Sequence, residues 1–325
     1  MITTERLHHG GIMANYRCTA ACRHCLYSCS PTRTDGYINE ETAKIVCELL
    51  RIGGCRSIHI GGGEPFLDFD GLLTIVRTVT RSGIRVEYIE TNAFWAEDSD
   101  RTERYLRDLA QSGADTLCIS LDPFHVEYVP VALPLSLAGS CQRIGFGFFL
   151  WQDKYLGIMS QLDKRKTYNR TELEELISPG YICETSRSYG LHMGGRAINI
   201  ETECSTLRPV DEIINDLPCR GLLSGNHFHV DMYGRYIPPG CTGIAIPLDE
   251  AVHGISDGKY TVFESLLHGG TAALIQYAKE LGFVPDPRGY TSRCALCIFI
   301  RSWLSENTSH AELDREHYIE SVMDL

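Results

Sequence analysis

Over the first two hundred positions, short apolar runs alternate with stretches in which apolar residues recur every third or fourth place. The short runs predict strands at Gly11 to Tyr16, Ser57 to Gly61, Arg85 to Thr91, Thr116 to Leu121, Ile144 to Leu150 and Leu191 to Ile200. Helices are expected between them. Asn39 is placed as an N-cap before Glu40 and Glu41, and Ile45, Val46, Leu49 and Leu50 make an apolar stripe that stops at Gly53-Gly54. Asp70 to Arg81 and Asp100 to Ser112 repeat the scheme and close on Gly83 and Gly113. Repeated strand, helix, strand implies an α/β fold whose parallel sheet has right-handed crossovers, either a barrel or a doubly wound sheet. In both, chemistry gathers at the C-terminal ends of the strands.

From about Glu201 the rhythm changes. Two alternating runs, His227 to Ile237 about Tyr233-Gly234, read as a β-hairpin, which Pro238-Pro239 ends just before Cys241. A helical stretch from Tyr260 to Leu281 leads to Cys294-Ala-Leu-Cys297 and an apolar helix start, Ile298 to Leu304. No internal repeat or low-complexity segment is present.

Length and charge narrow the classes. At 325 residues the chain has room for about two domains, and 43% hydrophobic with 22% charged residues is an ordinary globular mixture. The net charge of −12 argues against a general nucleic-acid binder, since phosphate backbones call for basic surface. The longest uncharged stretch, Val129 to Gln142, is too short to span a membrane and holds Pro130 and Pro134. The N-terminus has no apolar signal core, so a reducing, cytoplasmic location is expected. Against that expectation, 14 cysteines ask for a metal or redox explanation. Cys47, Cys55, Cys118 and Cys141 fall on apolar patterns and read as small buried hydrophobes.

Cys18, Cys22 and Cys25 follow the first strand with the spacing C-x3-C-x2-C, which can hold three corners of a cubane cluster and leave one iron open. With a fourth ligand such as Cys29 or His24 the same triplet could hold zinc. The triplet, with His24 at the aromatic place, and Gly61-Gly62-Gly63-Glu64-Pro65 after the second strand together resemble the radical S-adenosylmethionine (SAM) enzymes. That resemblance implies a partial (β/α)6 TIM-like barrel over residues 1–200, a [4Fe–4S] cluster on Cys18, Cys22 and Cys25, and SAM on the open iron. It also implies SAM contacts from Gly62, Gly63, Glu64 and Pro65, from Glu90 and Asn92, from Ser120 and Asp122, and from Arg196 on the sixth strand. His125, three residues after Asp122, is the candidate for proton exchange with substrate. His59 and Tyr88 are lesser candidates, and Cys29 is expected to pack.

Cys219 and Cys241 flanking the hairpin, with Cys294 and Cys297 at a helix start, resemble the twitch/SPASM auxiliary-cluster subdomain of the same enzymes. The resemblance implies a hairpin-plus-helix subdomain over 201–304, a tail over 305–325, and a second [4Fe–4S] cluster suited to moving electrons. A structural zinc is the alternative occupant of those four thiolates. Cys183 and Cys204 are given no special role.

The expected function is radical SAM chemistry on a small molecule or a short peptide, served by an external one-electron reductant of flavodoxin or ferredoxin type. Oxidation or cross-linking of the substrate is the expected outcome. Only 17 residues precede Cys18, so a leader-peptide-binding domain is expected to be lacking. A maturase acting on a partner protein and a non-catalytic iron–sulfur electron carrier are the competing readings. The glycine loop has no purpose in the carrier. No nucleic-acid or membrane partner is expected.

Overall fold

The computed structural model describes residues 1–190, 194–214 and 216–319. Its centre is one eight-stranded sheet of order β5-β4-β3-β2-β1-β6-β7-β8. The strands are β1 (His9–Met13), β2 (Ser57–Gly61), β3 (Arg85–Thr91), β4 (Thr116–Ser120), β5 (Gly147–Trp151), β6 (Asn226–Val230), β7 (Arg235–Ile237) and β8 (Ile246–Pro247). The first six run parallel to their neighbours, and β7 and β8 are antiparallel.

Four crossover helices join the first five strands: α1 (Glu40–Gly53), α2 (Phe69–Arg81), α3 (Ser99–Ser112) and α4 (Ala132–Ile144). Local chemistry sets their ends. Asn39, Asp68 and Asp98 each accept a bond from a first-turn N–H, and Gly54 and Gly113 close α1 and α3 in the left-handed region at φ 94° and 107°. Each crossover buries its apolar stripe on one face of the sheet, where Ile12, Ile58, Ile60, Ile89, Leu117 and Ile119 join Val46, Leu50, Val76 and Leu106 in one core. Cys47, Cys55 and Cys141 are buried in this core, as expected. No helix among the described residues is long and apolar enough to cross a membrane.

Two expectations need correction. Leu191 to Ile200 is not a sixth strand: Ala197–Cys204 is helical, and 191–193 lie outside the described residues. The sixth parallel strand is instead β6, the first arm of the predicted hairpin, which pairs with β1 rather than extending beyond β5. Second, Cys183 and Cys204 form a disulfide that ties helix Tyr181–Tyr189 to helix Ala197–Cys204. The predicted Tyr260 to Leu281 helix is present as Thr261–Glu280, bent where Gly270 takes φ 59°.

The hairpin joins β1 through a close side-chain-to-backbone fit. Phe228 is fully buried, and a Cβ at Gly10 would stand 2.8 Å from its ring, so the glycine lets the ring lie against β1. Replacing Phe228 with alanine should cost about 3–5 kcal/mol, the usual range for emptying a buried aromatic site. Urea denaturation of Phe228→Ala measures this, and a loss below about 1 kcal/mol would mean that the hairpin is not anchored there.

Candidate active site

The loops at the C-terminal ends of β1 and β2 are held backbone to backbone. Gly63 N–H donates to Asn15 O at 2.8 Å and Glu64 N–H to Arg17 O at 3.0 Å, and the Asn15 amide donates to Glu64 O at 3.1 Å. A Cβ on Gly63 would fall 2.0 Å from Arg17 O, and one on Gly62, at φ 130°, would fall 2.5 Å from Asn15 O. The glycines are therefore required first by the chain's own cysteine loop.

That loop is braced from below by Arg196. Its N–H donates to Cys25 O at 3.0 Å, its Nε to Cys22 O at 3.1 Å and a terminal guanidinium nitrogen to Cys29 O at 2.5 Å. Arg196 sits at the start of helix Ala197–Cys204 rather than on a strand, and supports the loop from outside the cavity. Gly195, at φ 49°, lies so close beneath the loop that a Cβ would meet Cys25 O at 2.3 Å.

The loop presents its sulfurs to N–H donors. Ala20 N–H points at Cys18 Sγ (3.4 Å), the Asn92 side chain at Cys18 Sγ (3.6 Å) and Cys29 N–H at Cys25 Sγ (3.4 Å). A hydrogen bond from Cys29 lowers the Cys25 thiol to about 5, with the Arg196 charge assisting against burial. Burial, then the neighbouring Cys22 and Glu64, pushes Cys18 up. Cys29 is thus a neighbour of the triplet, a role missed by reading it as packing alone.

These residues open on a cavity of about 650 Å³. Cys18, Cys22, Cys25, Gly62, Gly63, Glu90, Asn92, Ser120 and His125 line it. Behind the wall are Glu64, Pro65, Asp122 and Arg196. Glu64 is fully buried: its carboxylate accepts from Phe66 N–H (3.1 Å), the Thr91 hydroxyl (3.0 Å) and Asn92 N–H (2.8 Å), which fastens the glycine loop to the end of β3. Cys118, expected as a buried hydrophobe, is buried but lines the cavity.

His125 Nδ1 lies 2.5 Å from Asp122 Oδ2, and Asp122 also accepts from the N–H groups of Phe124 and His125. Burial opposes the imidazolium, yet Asp122 and Cys22 hold His125 well above its ordinary value. A group held protonated gives a proton rather than takes one. His24 stacks on Phe124 at 4.7 Å and meets the edges of His125 and Tyr189, and its Nδ1 is buried without a partner. His24, Asp122 and His125 offer ligand atoms within 4.8 Å of one another, directly beside the cysteine loop.

Cys219, Cys241, Cys294 and Cys297 come together elsewhere, close enough to influence one another's ionisation. Arg301, one turn beyond Cys297 and only 3% exposed, stands among them. It donates to Thr242 O at 2.9 Å and to the Tyr318 hydroxyl at 3.0 Å, and its Nε is buried without a partner. Among the described residues no carboxylate forms an ion pair with it. Burial raises the thiols of Cys219, Cys241 and Cys297, Cys241 to about 12, and the Arg301 charge works against that rise. Pro239, Gly240 and Thr242, next to Cys241, also line the first cavity, so one loop borders both places.

Residues 13–132 of the 325 are similar to the Radical SAM superfamily. Members of that superfamily are enzymes. A relative, the Bacillus subtilis (strain 168) protein YydG, whose name assigns it to peptide biosynthesis, is 30% identical over 113 residues. That match spans only 35% of each chain. Among solved structures, BtrN in complex with AdoMet and 2-DOIA is 16% identical at TM-score 0.42, over 83% of this chain and 91% of that one. Streptococcus suis SuiB bound to precursor peptide SuiA is 13% identical at TM-score 0.38, over 90% and 76%.

Burial raises the Glu64 carboxyl to about 7 against its hydrogen bonds. Its folded value therefore lies above its unfolded one, so its contribution to stability is complete below the ordinary carboxylate range and is lost as pH rises through about 7. Glu64→Gln cannot ionise. Urea titrations of the apoprotein should show the wild-type advantage over Glu64→Gln shrinking by roughly 1 kcal/mol per pH unit between pH 5 and 7. A difference independent of pH would mean that the carboxyl does not titrate in that window.

Proposed function

We propose that this chain, whose residues 13–132 are similar to the Radical SAM superfamily, is a radical SAM enzyme that acts on a peptide. The observation that carries the reading is the single cavity in which Cys18, Cys22 and Cys25 face Gly62 and Gly63, with N–H donors already aimed at the cysteine sulfurs. When bound, a [4Fe–4S] cluster and SAM together supply a 5′-deoxyadenosyl radical that removes a hydrogen atom from the substrate. The chain's part is to bind and position. Cys18, Cys22 and Cys25 would hold the cluster, and Asn92, Ala20 N–H and Cys29 N–H steady the thiolates. Gly62, Gly63 and Ser120 would border SAM, while Arg196 keeps the loop in place from behind. The peptide assignment is supported by the name of the relative YydG.

Cys219, Cys241, Cys294 and Cys297 fit a second cluster. Four thiolates would fill every corner, and the buried Arg301 supplies charge balance, so the centre would pass electrons rather than bind substrate. An external one-electron reductant of flavodoxin or ferredoxin type completes the scheme.

Anaerobic incubation of the iron-loaded protein with SAM and dithionite should release 5′-deoxyadenosine, and the Cys18, Cys22, Cys25 triple-alanine variant should release none. No product from a cluster-loaded wild type would overturn the enzyme reading. The same triple variant should retain iron and sulfide in the second site, and Arg301→Gln in that background should lose them. Zinc without cluster absorbance in the triple variant would make the second centre structural.

A further inference from the structure

The cavity wall holds a second gathering of ligating side chains, on strands away from the cysteine loop. His59 of β2 and His229 of β6 meet across β1, with Nε2 atoms 3.0 Å apart, and Glu90 Oε1 of β3 lies 3.9 Å from His59 Nε2. The His227 ring is 5.8 Å from that of His59 and 5.6 Å from that of His229. All four residues line the cavity.

Three backbone features make this meeting possible. Gly11 is the β1 partner of both His59 and His229, and a Cβ there would stand 2.4 Å from His59 Nε2 and 2.6 Å from the His229 ring. A Cβ on Gly61 would stand 2.5 Å from Glu90 Oε2. Between β1 and β6 the register skips His227, which takes φ 56°, a left-handed conformation that costs a histidine energy and is kept where its surroundings demand it. The skip turns His227 toward the same cavity as His229.

Glu90 has no lysine or arginine partner among the described residues, and its ion-pair contact is with His59. Two ligand atoms on one cation, each about 2.1 Å away, stand about 3.0–3.4 Å from each other, a range that holds the His59–His229 spacing. The Glu90 side chain is 44% exposed, with its Oε1 3.9 Å from His59 Nε2.

We propose that His59, His227 and His229, with the Glu90 carboxylate as the anionic ligand, form a binding site for a divalent transition-metal ion on the wall of the cavity. Imidazoles with one carboxylate suit Zn²⁺, Fe²⁺ or Mn²⁺ and set this site apart from the all-thiolate places. A cation there faces the space beside Gly62 and Ser120 and would anchor a carboxylate or carbonyl oxygen of a substrate. The site stands whether or not the radical SAM reading does.

The test uses Mn²⁺ alone, added anaerobically to iron-loaded protein, because Mn²⁺ favours nitrogen and oxygen ligands and leaves the cysteines largely alone. Loss of the free-ion EPR signal should report one bound Mn²⁺ per chain in the wild type. Affinity should fall at least about tenfold in His59→Gln and in His229→Gln. It should fall in Gly11→Ala too, which removes no ligand but occupies the space between the rings. His253→Gln, at an exposed histidine outside the cavity, should bind Mn²⁺ like the wild type. Should His59→Gln fail to match the wild-type circular dichroism, the exposed His227→Gln carries the comparison. No bound Mn²⁺ in the wild type, or unchanged affinity in the folded histidine variants, overturns the site.

Discussion

The backbone contact between the β1 and β2 loops governs the rest of the cavity. Arg17 O and Gly63 are so close that no side chain larger than hydrogen fits, and Asn15 bonds across the gap with both its main chain and its amide. Because Cys18 follows Arg17 directly, this contact places the first cysteine at the end of the glycine loop. Glu64 then carries the same constraint sideways, by accepting from Thr91 and Asn92 at the end of β3. Asn92, fixed in this way, returns to the Cys18 sulfur. The sulfur, the glycines and the third strand end thus form a closed ring of contacts, and a change at any member is felt by the others.

Each cysteine group has an arginine beside it whose charge favours the thiolate. Around the triplet, burial and then Cys22 and Glu64 raise Cys18, and the Cys29 hydrogen bond and then Arg196 lower Cys25, although Arg196 spends its N–H groups on the carbonyls of Cys22 and Cys29 rather than on sulfur. At the second group, Arg301 is buried beside the cysteines themselves, and among the described residues no carboxylate pairs with it. Burial raises the Cys219, Cys241 and Cys297 thiols, Cys241 to about 12, and the Arg301 charge opposes that rise, while Thr242 O and the Tyr318 hydroxyl accept from the guanidinium.

Features with a local cause were legible in the chain. The caps at Asn39, Gly54 and Gly113, the strands at Ser57–Gly61 and Arg85–Thr91, and the hairpin about Gly234 all follow from neighbours within a few residues. Leu191 to Ile200 failed because an apolar run of that length fits a short buried helix as well as a strand, and only the position of Cys25 decides where Arg196 must stand. The Cys183–Cys204 disulfide was hidden for a similar reason, since it depends on two short helices lying side by side. The glycine loop was read as a sign of ligand contact, whereas its tightest neighbour is the polypeptide.

The histidines show the limit most clearly. His59 lies 170 positions from His229, and no periodicity links them. They meet because β6 pairs with β1, so the strand that the pattern assigned to a separate hairpin becomes the far wall of the barrel-like cavity. The same pairing carries the chain onward through β7 to Pro239, Gly240 and Thr242, which border the cavity on one side and the four-cysteine group on the other. One strand placement therefore accounts for both the histidine wall and the nearness of the second cysteine group. Without Gly10 and Gly11, whose missing side chains admit Phe228 on one face and the imidazoles on the other, neither could be built.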